Sequence, residues 1–356
     1  MFCHFEFLLS WKVAQRGLFK RTNLFTWLCN FFTGRTRCTK VGTKLSDFLA
    51  LITGVVQSSV IGPLMFVIFI DELVWLLDKC GVKVKLFADD MKLYLRIVND
   101  VDILVLQDAL TAVYKWANEW QLSVSIEKCY IWSLGKATNQ VVLSIGNSVL
   151  QVVQSCHDLG ITMTHDLSFS EHINNMVFKA HQRANAVLRC FVSRNITLLL
   201  RAYLVYVRPL LEYNSTIWSP HYKYDIDAVE CVQRRFTKRL PGLSNYTYNE
   251  RLSFLNIPSL EQCRMRADLI LCYKMLFGHL NICSVDFFET RPAGITRGHP
   301  YKLYKRHSCC STRSSFFSER IVNAWNNLPD DTDFSSPFSF KRQINRLGLF
   351  EVMLLN

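Results

Sequence analysis

The sequence predicts an α+β protein, and three observations predict that class. The chain has 356 residues, of which 50% are hydrophobic and 13% aromatic, so it can bury a sizeable core. Residues 83–97, KVKLFADDMKLYLRI, alternate with the period of two that strands require, on both sides of two aspartates. Residues 101–120 repeat apolar side chains at steps of three and four, which is typical of an amphipathic helix.

Residues 83–97 predict a β-hairpin with Asp89 and Asp90 at its tip. The apolar residues would line one face of each strand: Val82, Val84, Leu86 and Ala88, then Met91, Leu93, Leu95 and Ile97. Two carboxylates on a tight turn can point at one spot, and bringing them together is costly unless a cation is present. Aspartate also favours turns for its own reasons. The pair alone therefore leaves both a metal site and a simple polar turn open.

The remaining pattern predicts further helices and strands. Residues 59–70, SVIGPLMFVIFI, predict a buried helix, since the run is too short for a bilayer, contains Pro63 and continues into charged residues. Residues 122–135 and 140–153 alternate like strands. Within the second segment, Gly146 and Asn147 predict a turn between two strands. The chain becomes helical and basic from about residue 167. A last helix is predicted from Phe316 to Leu328, ended by Pro329.

The positive charge is concentrated in the second half. The chain carries a net charge of +12, and residues 179–251 contain 12 Lys or Arg against 5 Asp or Glu. Such a surplus indicates a polyanionic partner, which could be nucleic acid or an anionic membrane surface. The basic residues Arg234, Arg235, Lys238 and Arg239 are spaced to share much of one helical face. They predict phosphate contacts, with a merely solvated face as the alternative. Nearby Trp218 and Tyr222 could stack on bases, and packing in the core is the favoured alternative.

The cysteines predict reduced thiols in an intracellular protein. The sequence does not distinguish between nucleus and cytoplasm. There are 13 of them, an odd number, and no two have the CxxC spacing of a zinc ribbon. The opening residues, MFCHFEFLLSW, lack the basic start of a signal peptide and include His4 and Glu6. We therefore expect neither secretion nor a membrane partner.

Several ordered segments resemble the reverse transcriptases of non-LTR, LINE-type retrotransposons. FADD between two apolar strands, with GVVQSSVIGPLMFVIFIDEL (54–73) ahead of it, is similar to the catalytic hairpin and glutamine loop of that family. The resemblance continues through these segments: LFTWLCNFFTGRTRCTKV (24–41), WANEWQLSVSIEKC (116–129), DLGITMTHDLSFSEHI (158–173), YLVYVRPLLEYNSTIWSP (203–220), VECVQRRFTKRLPGL (229–243) and FFSERIVNAWNNLP (316–329).

The resemblance implies a function and its residues. Asp89 and Asp90 match the catalytic pair that binds Mg²⁺, or Mn²⁺ in its place, with Asp89 as the direct ligand. Substrate contacts are implied for Gln57, Ser59, Gly62 and Lys128, although Lys128 could equally be an ordinary solvated lysine. The implied partners are an RNA template, a DNA primer and deoxynucleoside triphosphates.

The resemblance also divides the chain and implies a fold for each part. Residues 1–23 are left unmatched and residues 24–155 form partial fingers and a partial palm, an antiparallel sheet with packed helices. Residues 156–260 form a helical, basic, thumb-like region, and residues 261–356 a mainly helical C-terminal module.

The chain departs from the family in two places. No segment supplies the first palm strand with its aspartate, so the catalytic set of three carboxylates is incomplete. In the glutamine loop, Val56 and Ser58 replace a proline and a glycine. No endonuclease domain and few of the fingers are recognisable, which suggests a 5′-truncated copy. Three functions therefore stay open: an impaired RNA-directed DNA polymerase, a non-catalytic nucleic-acid-binding remnant, and a product without a stable function.

Overall fold

The computed structural model describes residues 23–50, 59–135, 141–291 and 298–346. It divides into two compact units. Unit 1 comprises Met1–Ile131 and Ala137–Val153, and unit 2 comprises Trp132–Lys136 and Gln154–Asn356. Helices and small two-stranded sheets occur together, which confirms the α+β class in its coarse form.

The chain up to residue 153 alternates between helices and short strands. Its elements are α1 (Asn23–Phe32), β1 (Thr36–Arg37), β2 (Lys40–Val41), β3 (Lys44–Leu45), β4 (Leu49–Ala50), α2 (Gly62–Lys79), β5 (Lys83–Phe87), β6 (Asp90–Tyr94), α3 (Asp100–Glu119), a 3₁₀ turn (Ile126–Lys128), β7 (Tyr130–Trp132), β8 (Ser144–Ile145), β9 (Ser148–Val149) and β10 (Gln151–Val153). The pairs β1–β4, β2–β3, β5–β6 and β8–β9 are antiparallel.

Helices α2 and α3 supply the core of unit 1. Met65, Phe69 and Leu77 of α2 are buried in the same cluster as Val113 and Ala117 of α3. The helix predicted within residues 59–70 is present from Gly62 and runs on to Lys79. It is buried on one side only, since Leu64, Val67 and Trp75 are more than half exposed. Within the described ranges, no helix combines the length and apolar character that a bilayer crossing requires.

Helix α3 confirms the amphipathic helix predicted for residues 101–120, and its start is fixed by a capping box. The Asn99 side chain accepts from the backbone N–H of Val101 and Asp102. In return, the Asp102 carboxylate accepts from the N–H of Val98 at 2.7 Å and of Asn99 at 3.0 Å. These bonds satisfy N–H groups that a helix terminus otherwise leaves without partners.

Two strand predictions have different outcomes. The turn at residues 146–147 is confirmed, since Ile145 pairs with Ser148 and Gly146 has a φ of +58°. The prediction of a strand across 122–135 is wrong for most of its length, because Ile126–Lys128 form a 3₁₀ turn and only Tyr130–Trp132 extend. Val124, Ile126 and Ile131 still pack against apolar clusters of unit 1, whereas Leu122 and Leu134 are exposed, so the period of two does not establish strand geometry there.

Unit 2 is mainly helical, as predicted. Its elements are the antiparallel pair β11 (Ser155–Asp158) and β12 (Ile161–Thr164), then α4 (Ser170–Cys190), α5 (Ile196–Tyr206), α6 (Arg208–Glu212), α7 (Ser215–Trp218), α8 (Lys223–Lys238), α9 (Tyr248–Leu255), α10 (Leu260–Leu276), a 3₁₀ turn (Ser284–Asp286), α11 (Ser311–Ser314), α12 (Phe317–Asn326) and α13 (Pro337–Arg346). The helix predicted from Phe316 to Leu328 is confirmed as α12, with Phe316 at its N-cap.

Two apolar clusters fill unit 2. The first lies among helices α4 to α8 and includes Tyr203, Trp218 and Phe236. The second lies among helices α10, α12 and α13 and includes Tyr273 and Trp325. Tyr203 and Phe236 stack with their ring centroids 4.6 Å apart, which fixes α8 against α5.

Candidate active site and nucleic-acid interface

The predicted hairpin is present and is formed by β5 and β6. Val84 pairs with Leu93 and Leu86 with Met91, so these four apolar side chains share one face. That face packs against the cluster formed by α2 and α3. The turn between the strands consists of Ala88 and Asp89 alone, because Phe87 pairs directly with Asp90.

The turn has an unusual backbone. Ala88 has a φ of +52°, in the left-handed region, where the Cβ of an L-residue crowds the backbone. Two-residue hairpin loops with a positive φ at the first position favour glycine there. The chain therefore places a strained alanine immediately before its two aspartates.

Asp89 and Asp90 both lie exposed at the tip of this hairpin. Asp89 occupies the turn, and Asp90 is the first residue of β6, on the strand face opposite to Met91. Their four carboxylate oxygens are hard donors of the kind that Mg²⁺ takes. Within the described ranges, no group of three or more His, Cys, Asp and Glu side chains could hold a metal ion. A metal at this tip would need oxygens from water or a phosphate to complete its shell.

The predicted nucleotide loop is described only in part. Gln57, together with the substituted positions 56 and 58, lies outside the described residues. The Ser59 hydroxyl accepts from the N–H of Gly62 at 3.0 Å, where α2 begins, and Pro63 follows in the first turn. Ser59 and Gly62 thus help to form the start of α2, and a substrate contact by either remains a prediction.

Lys128 ends the 3₁₀ turn that follows α3, with its side chain exposed. Ile126 and Cys129 on either side of it pack against the same small cluster as Leu93 of the hairpin strand β6. The lysine is therefore held in the part of unit 1 that also supports the hairpin. Its role toward a triphosphate stays a prediction.

The predicted basic face is present on α8 and the residue after it. Arg234, Arg235, Lys238 and Arg239 are all exposed. The guanidinium of Arg239 donates to the Asn185 side-chain oxygen at 2.5 Å, and that of Arg234 lies over the Tyr248 ring, 5.4 Å from its centroid. The four cations thus divide between two sides of the helix, one next to α4 and the other next to α9.

The buried side of α8 carries polar residues that the sequence analysis missed. Gln233 is fully buried; its amide nitrogen donates to the Tyr248 hydroxyl and the Pro258 carbonyl, and its oxygen accepts from Tyr203. The Glu230 carboxylate accepts from the backbone N–H of Leu260 at the start of α10 and from the Tyr248 hydroxyl. An anion at a helix N-terminus is favourable. Burial, and next the charge of Glu230, raises the pKa of Tyr248.

The expectation for the aromatic residues near this face is half right. Trp218 is fully buried, as predicted, and donates to the Tyr213 carbonyl. The prediction is wrong for Tyr222, which is 45% exposed and stacks on Tyr224 with ring centroids 5.3 Å apart. Tyr222 is the N-cap of α8 and lies outside its helical period. The period of the helix therefore could not have predicted that this side chain is exposed.

Comparisons with known proteins relate part of the chain to a known family. The family described as reverse transcriptase (RNA-dependent DNA polymerase) matches residues 10–163, a range that begins inside the segment 1–23 expected to be unmatched. The RNA-directed DNA polymerase from mobile element jockey of Drosophila melanogaster is 24% identical over 230 residues, 61% of this chain and 25% of that protein. A probable RNA-directed DNA polymerase from transposon BS, also of Drosophila melanogaster, is 27% identical over 225 residues, 59% of this chain and 24% of that protein.

A further relative aligns with a shorter part of the chain. It is an uncharacterized protein of Caenorhabditis elegans, 29% identical over 140 residues that make up 38% of this chain and 71% of that protein. The chain thus spans about a quarter of the length of the two polymerases it matches. The matched region contains the hairpin with its aspartates, and the two polymerases come from a mobile element and a transposon. Residues 10–163 therefore match the reverse transcriptase family, and the longer alignments are to RNA-directed DNA polymerases of mobile elements.

Proposed function

We propose that this chain is the RNA-directed DNA polymerase part of a non-LTR retrotransposon protein. The single observation that carries the proposal is the β5–β6 hairpin, which presents two adjacent carboxylates at its tip inside the region that matches reverse transcriptases. The hairpin with α2 and α3 would form a partial palm. Residues 156–260 would form the thumb-like region, and residues 261–356 the C-terminal module.

The residues at the tip fit the metal that such a reaction uses. The reverse transcriptase family generally uses divalent metal ions, and Mg²⁺ is held in many sites by one or two carboxylates together with phosphate oxygens and water. Asp89 and Asp90 supply those carboxylates, and both are open to solvent, so a nucleotide phosphate can approach them. When bound, the metal ions lower the cost of the negative charge that develops on the attacking and leaving oxygens.

The chain's own residues would then divide the task. Asp89 and Asp90 would hold the metal ion, with Asp89 as the direct ligand, so that the ion could bind the nucleotide phosphates beside the primer 3′-hydroxyl. Lys128 would give a proton to the departing pyrophosphate, as a general acid within reach of it can. Gln57, Ser59 and Gly62 would lie beside the incoming nucleotide, the last two at the start of α2.

We further propose that polymerisation is impaired. The described residues contain no third carboxylate close to Asp89 and Asp90 in a metal-holding group. Each carboxylate in such a site offsets the positive charge of the metal ions and fixes their positions, so two of three should bind metal more weakly. The expected result is slow extension that rises with metal concentration.

Primer extension on an RNA template tests the polymerase directly. Wild type, Asp89→Asn and the control Asp78→Asn, an exposed carboxylate of α2, are compared with Mg²⁺ and then with Mn²⁺. We expect slow incorporation by wild type and by Asp78→Asn, and a loss of at least a hundredfold with Asp89→Asn. Equal incorporation by all three proteins would contradict the proposal.

A second candidate function is favoured by the basic face of α8. Four exposed cations lie on a helix whose other side is fully packed, so this surface does not depend on any catalytic residue. A non-catalytic remnant of the element could still bind RNA or DNA through it. Replacing Arg234, Arg235, Lys238 and Arg239 with Ala should reduce the salt dependence of single-strand binding by up to about 3 in log–log slope. An unchanged slope would exclude this face as the contact.

A further inference from the structure

Helix α8 presents a continuous stripe of exposed and half-buried residues toward α4. Positions 224, 228, 231, 235 and 239 follow each other at steps of four and three residues, so they lie one above another. Tyr224 is at the N-terminal end of the stripe, small or uncharged residues fill its middle, and Arg235 and Arg239 are at its C-terminal end. The stripe spans about 22 Å at the rise of an α-helix, which is long enough for several nucleotides.

Helix α4 runs beside this stripe in the same direction. At the start of both helices, the Ser170 hydroxyl donates to Asp225 at 2.8 Å. At their ends, Asn185 accepts from Arg239. Between these points His181 lies near Arg235; burial, and next the charge of Arg235, lowers the pKa of that imidazole. Helix α4, which borders the stripe, contains one carboxylate, that of Glu171 in its first turn.

The N-terminal end of the stripe is aromatic. His221, Tyr222 and Tyr224 form a column, with ring centroids 3.9 Å apart for the first pair and 5.3 Å for the second. Tyr224 is 61% exposed, so these rings are not part of the core. Exposed, mutually stacked rings are rigid, and the bases of an unpaired strand can stack on them regardless of sequence.

The two sides of the basic face are not equivalent. Arg234 and Lys238 lie on the side that also carries the exposed carboxylate of Asp227, seven and eleven residues away along the same helical row. Arg234 additionally lies over the Tyr248 ring. Arg235 and Arg239 share their stripe with no acidic residue of α8. The cations that continue from the tyrosines are therefore also the ones with the least nearby negative charge.

We propose that the surface formed by His221, Tyr222, Tyr224, Arg235 and Arg239 is a binding site for single-stranded nucleic acid. Bases stack on the tyrosines, and the phosphates that follow lie along Arg235 and Arg239. The proposal rests on the nucleic-acid partner proposed above but not on polymerisation. A duplex would bring its phosphates to the arginines while its bases stay paired and out of reach of the rings.

Fluorescence anisotropy with the full chain tests this site. The ligands are a labelled single-stranded RNA, a strand of equal length in which the central residues are abasic, and a blunt duplex. The variants are Tyr222→Ala/Tyr224→Ala and Arg235→Ala/Arg239→Ala. The matched controls are Tyr246→Ala, an equally exposed tyrosine elsewhere in unit 2, and Arg234→Ala/Lys238→Ala. Tyr222→Phe/Tyr224→Phe keeps the rings and removes only the hydroxyl groups.

The expected pattern separates stacking from charge. The tyrosine-to-alanine pair should weaken binding of the ordinary strand at least fivefold and leave the abasic strand unchanged, while the phenylalanine pair binds like wild type. The pair Arg235→Ala/Arg239→Ala should lower the salt slope by about 1.4 on single strands. The control pair Arg234→Ala/Lys238→Ala should lower it less.

Two results would overturn the proposal in different ways. Suppose that wild type binds the strand. If Tyr222→Ala/Tyr224→Ala then binds it as tightly as Tyr246→Ala does, or loses as much affinity for the abasic strand as for the ordinary one, the stacking site is wrong and the nucleic-acid partner stands. If wild type binds none of the three ligands, the nucleic-acid partner itself fails, and this site with it.

Discussion

The acidic hairpin of unit 1 and the basic face of unit 2 differ in how their scaffolds are buried. No residue of β5 or β6 is fully buried, and the hairpin rests on α2 and α3 through one half-buried face. Helix α8 buries seven residues, among them Gln233 with its hydrogen bonds satisfied on both sides of its amide. An isolated two-stranded hairpin is marginally stable. The acidic site therefore depends on its neighbours, while the basic face has a fixed support.

This difference bears on function. A catalytic tip needs its carboxylates within a fraction of an ångström of their working positions. A phosphate-binding face tolerates movement, because its attraction to a polyanion is long-ranged and carries no sequence information. Displacement of the hairpin should therefore impair polymerisation well before an equal displacement of the basic face impairs binding.

The largest expected effect comes from the core beneath the basic face. Phe236→Ala removes a ring that is 2% exposed and stacked on Tyr203, and it should cost about 3–5 kcal/mol. Leu93→Ala, on the half-buried face of the hairpin, should cost only about 1 kcal/mol. Hydrogen exchange measured peptide by peptide, with each variant beside wild type, gives both values. Similar losses of protection for the two variants would remove the contrast between the scaffolds.

A smaller effect is expected at the strained turn of the hairpin. Ala88→Gly removes the strain of the left-handed backbone, which costs about 1–2 kcal/mol. Part of that gain is lost, because glycine raises the conformational entropy of the unfolded chain. A net gain of about 0.5–1 kcal/mol should appear as greater protection of β5 and β6. The control Ala112→Gly, inside α3, should instead lose about 1 kcal/mol. Loss of protection in both would show that the turn is not strained.

The smallest effect is a pH dependence shared by the two units. Hydrogen bonds from the backbone N–H of Val98 and Asn99 lower the pKa of Asp102, and those of Thr247 lower the pKa of Glu250 at α9. A lowered folded-state pKa gives stability that is present above the unfolded pKa, near 4, and lost as the pH falls through the folded value. Asp102→Asn should remove the stability that unit 1 loses at low pH through protonation of the Asp102 carboxylate.

Thermal unfolding from pH 7 to pH 2.5 measures this dependence. Asp102→Asn should be less stable than wild type at pH 7, and the two should converge at the acid end. Asp78→Asn, which removes a carboxylate outside any capping box, is the control for the loss of one charge. If Asp102→Asn and wild type differ by a constant amount across the range, the Asp102 carboxylate does not contribute this pH-dependent stability.

Elements with a strong local signal could be predicted from the sequence. The hairpin of β5 and β6, helix α3, the turn at 146–147 and helix α12 all have a period or a turn residue that neighbouring positions determine. The 3₁₀ turn before β7 could not be predicted, because its apolar residues repeat with the same period as a strand. Only the packing against α3 decides between the two.

The candidate site was predictable to the same extent. The aspartate tip is a local feature, and so is the clustering of four cations on one helical face. The division of those cations depends on Asn185 and Tyr248, which come from other helices. Likewise, the sequence alone places Glu230 on the surface, whereas in the structure its carboxylate accepts from two backbone N–H groups at the start of α10, those of Leu260 and Glu261.

Manganese binding tests the acidic hairpin most directly, because it needs neither template nor turnover. Electron paramagnetic resonance counts free Mn²⁺ during titration of wild type, Asp89→Asn/Asp90→Asn and the control Asp78→Asn. We predict that wild type and the control bind one ion more than the double variant, and that a deoxynucleoside triphosphate tightens this binding. Equal binding by all three proteins, with and without the nucleotide, would contradict a metal site at the hairpin.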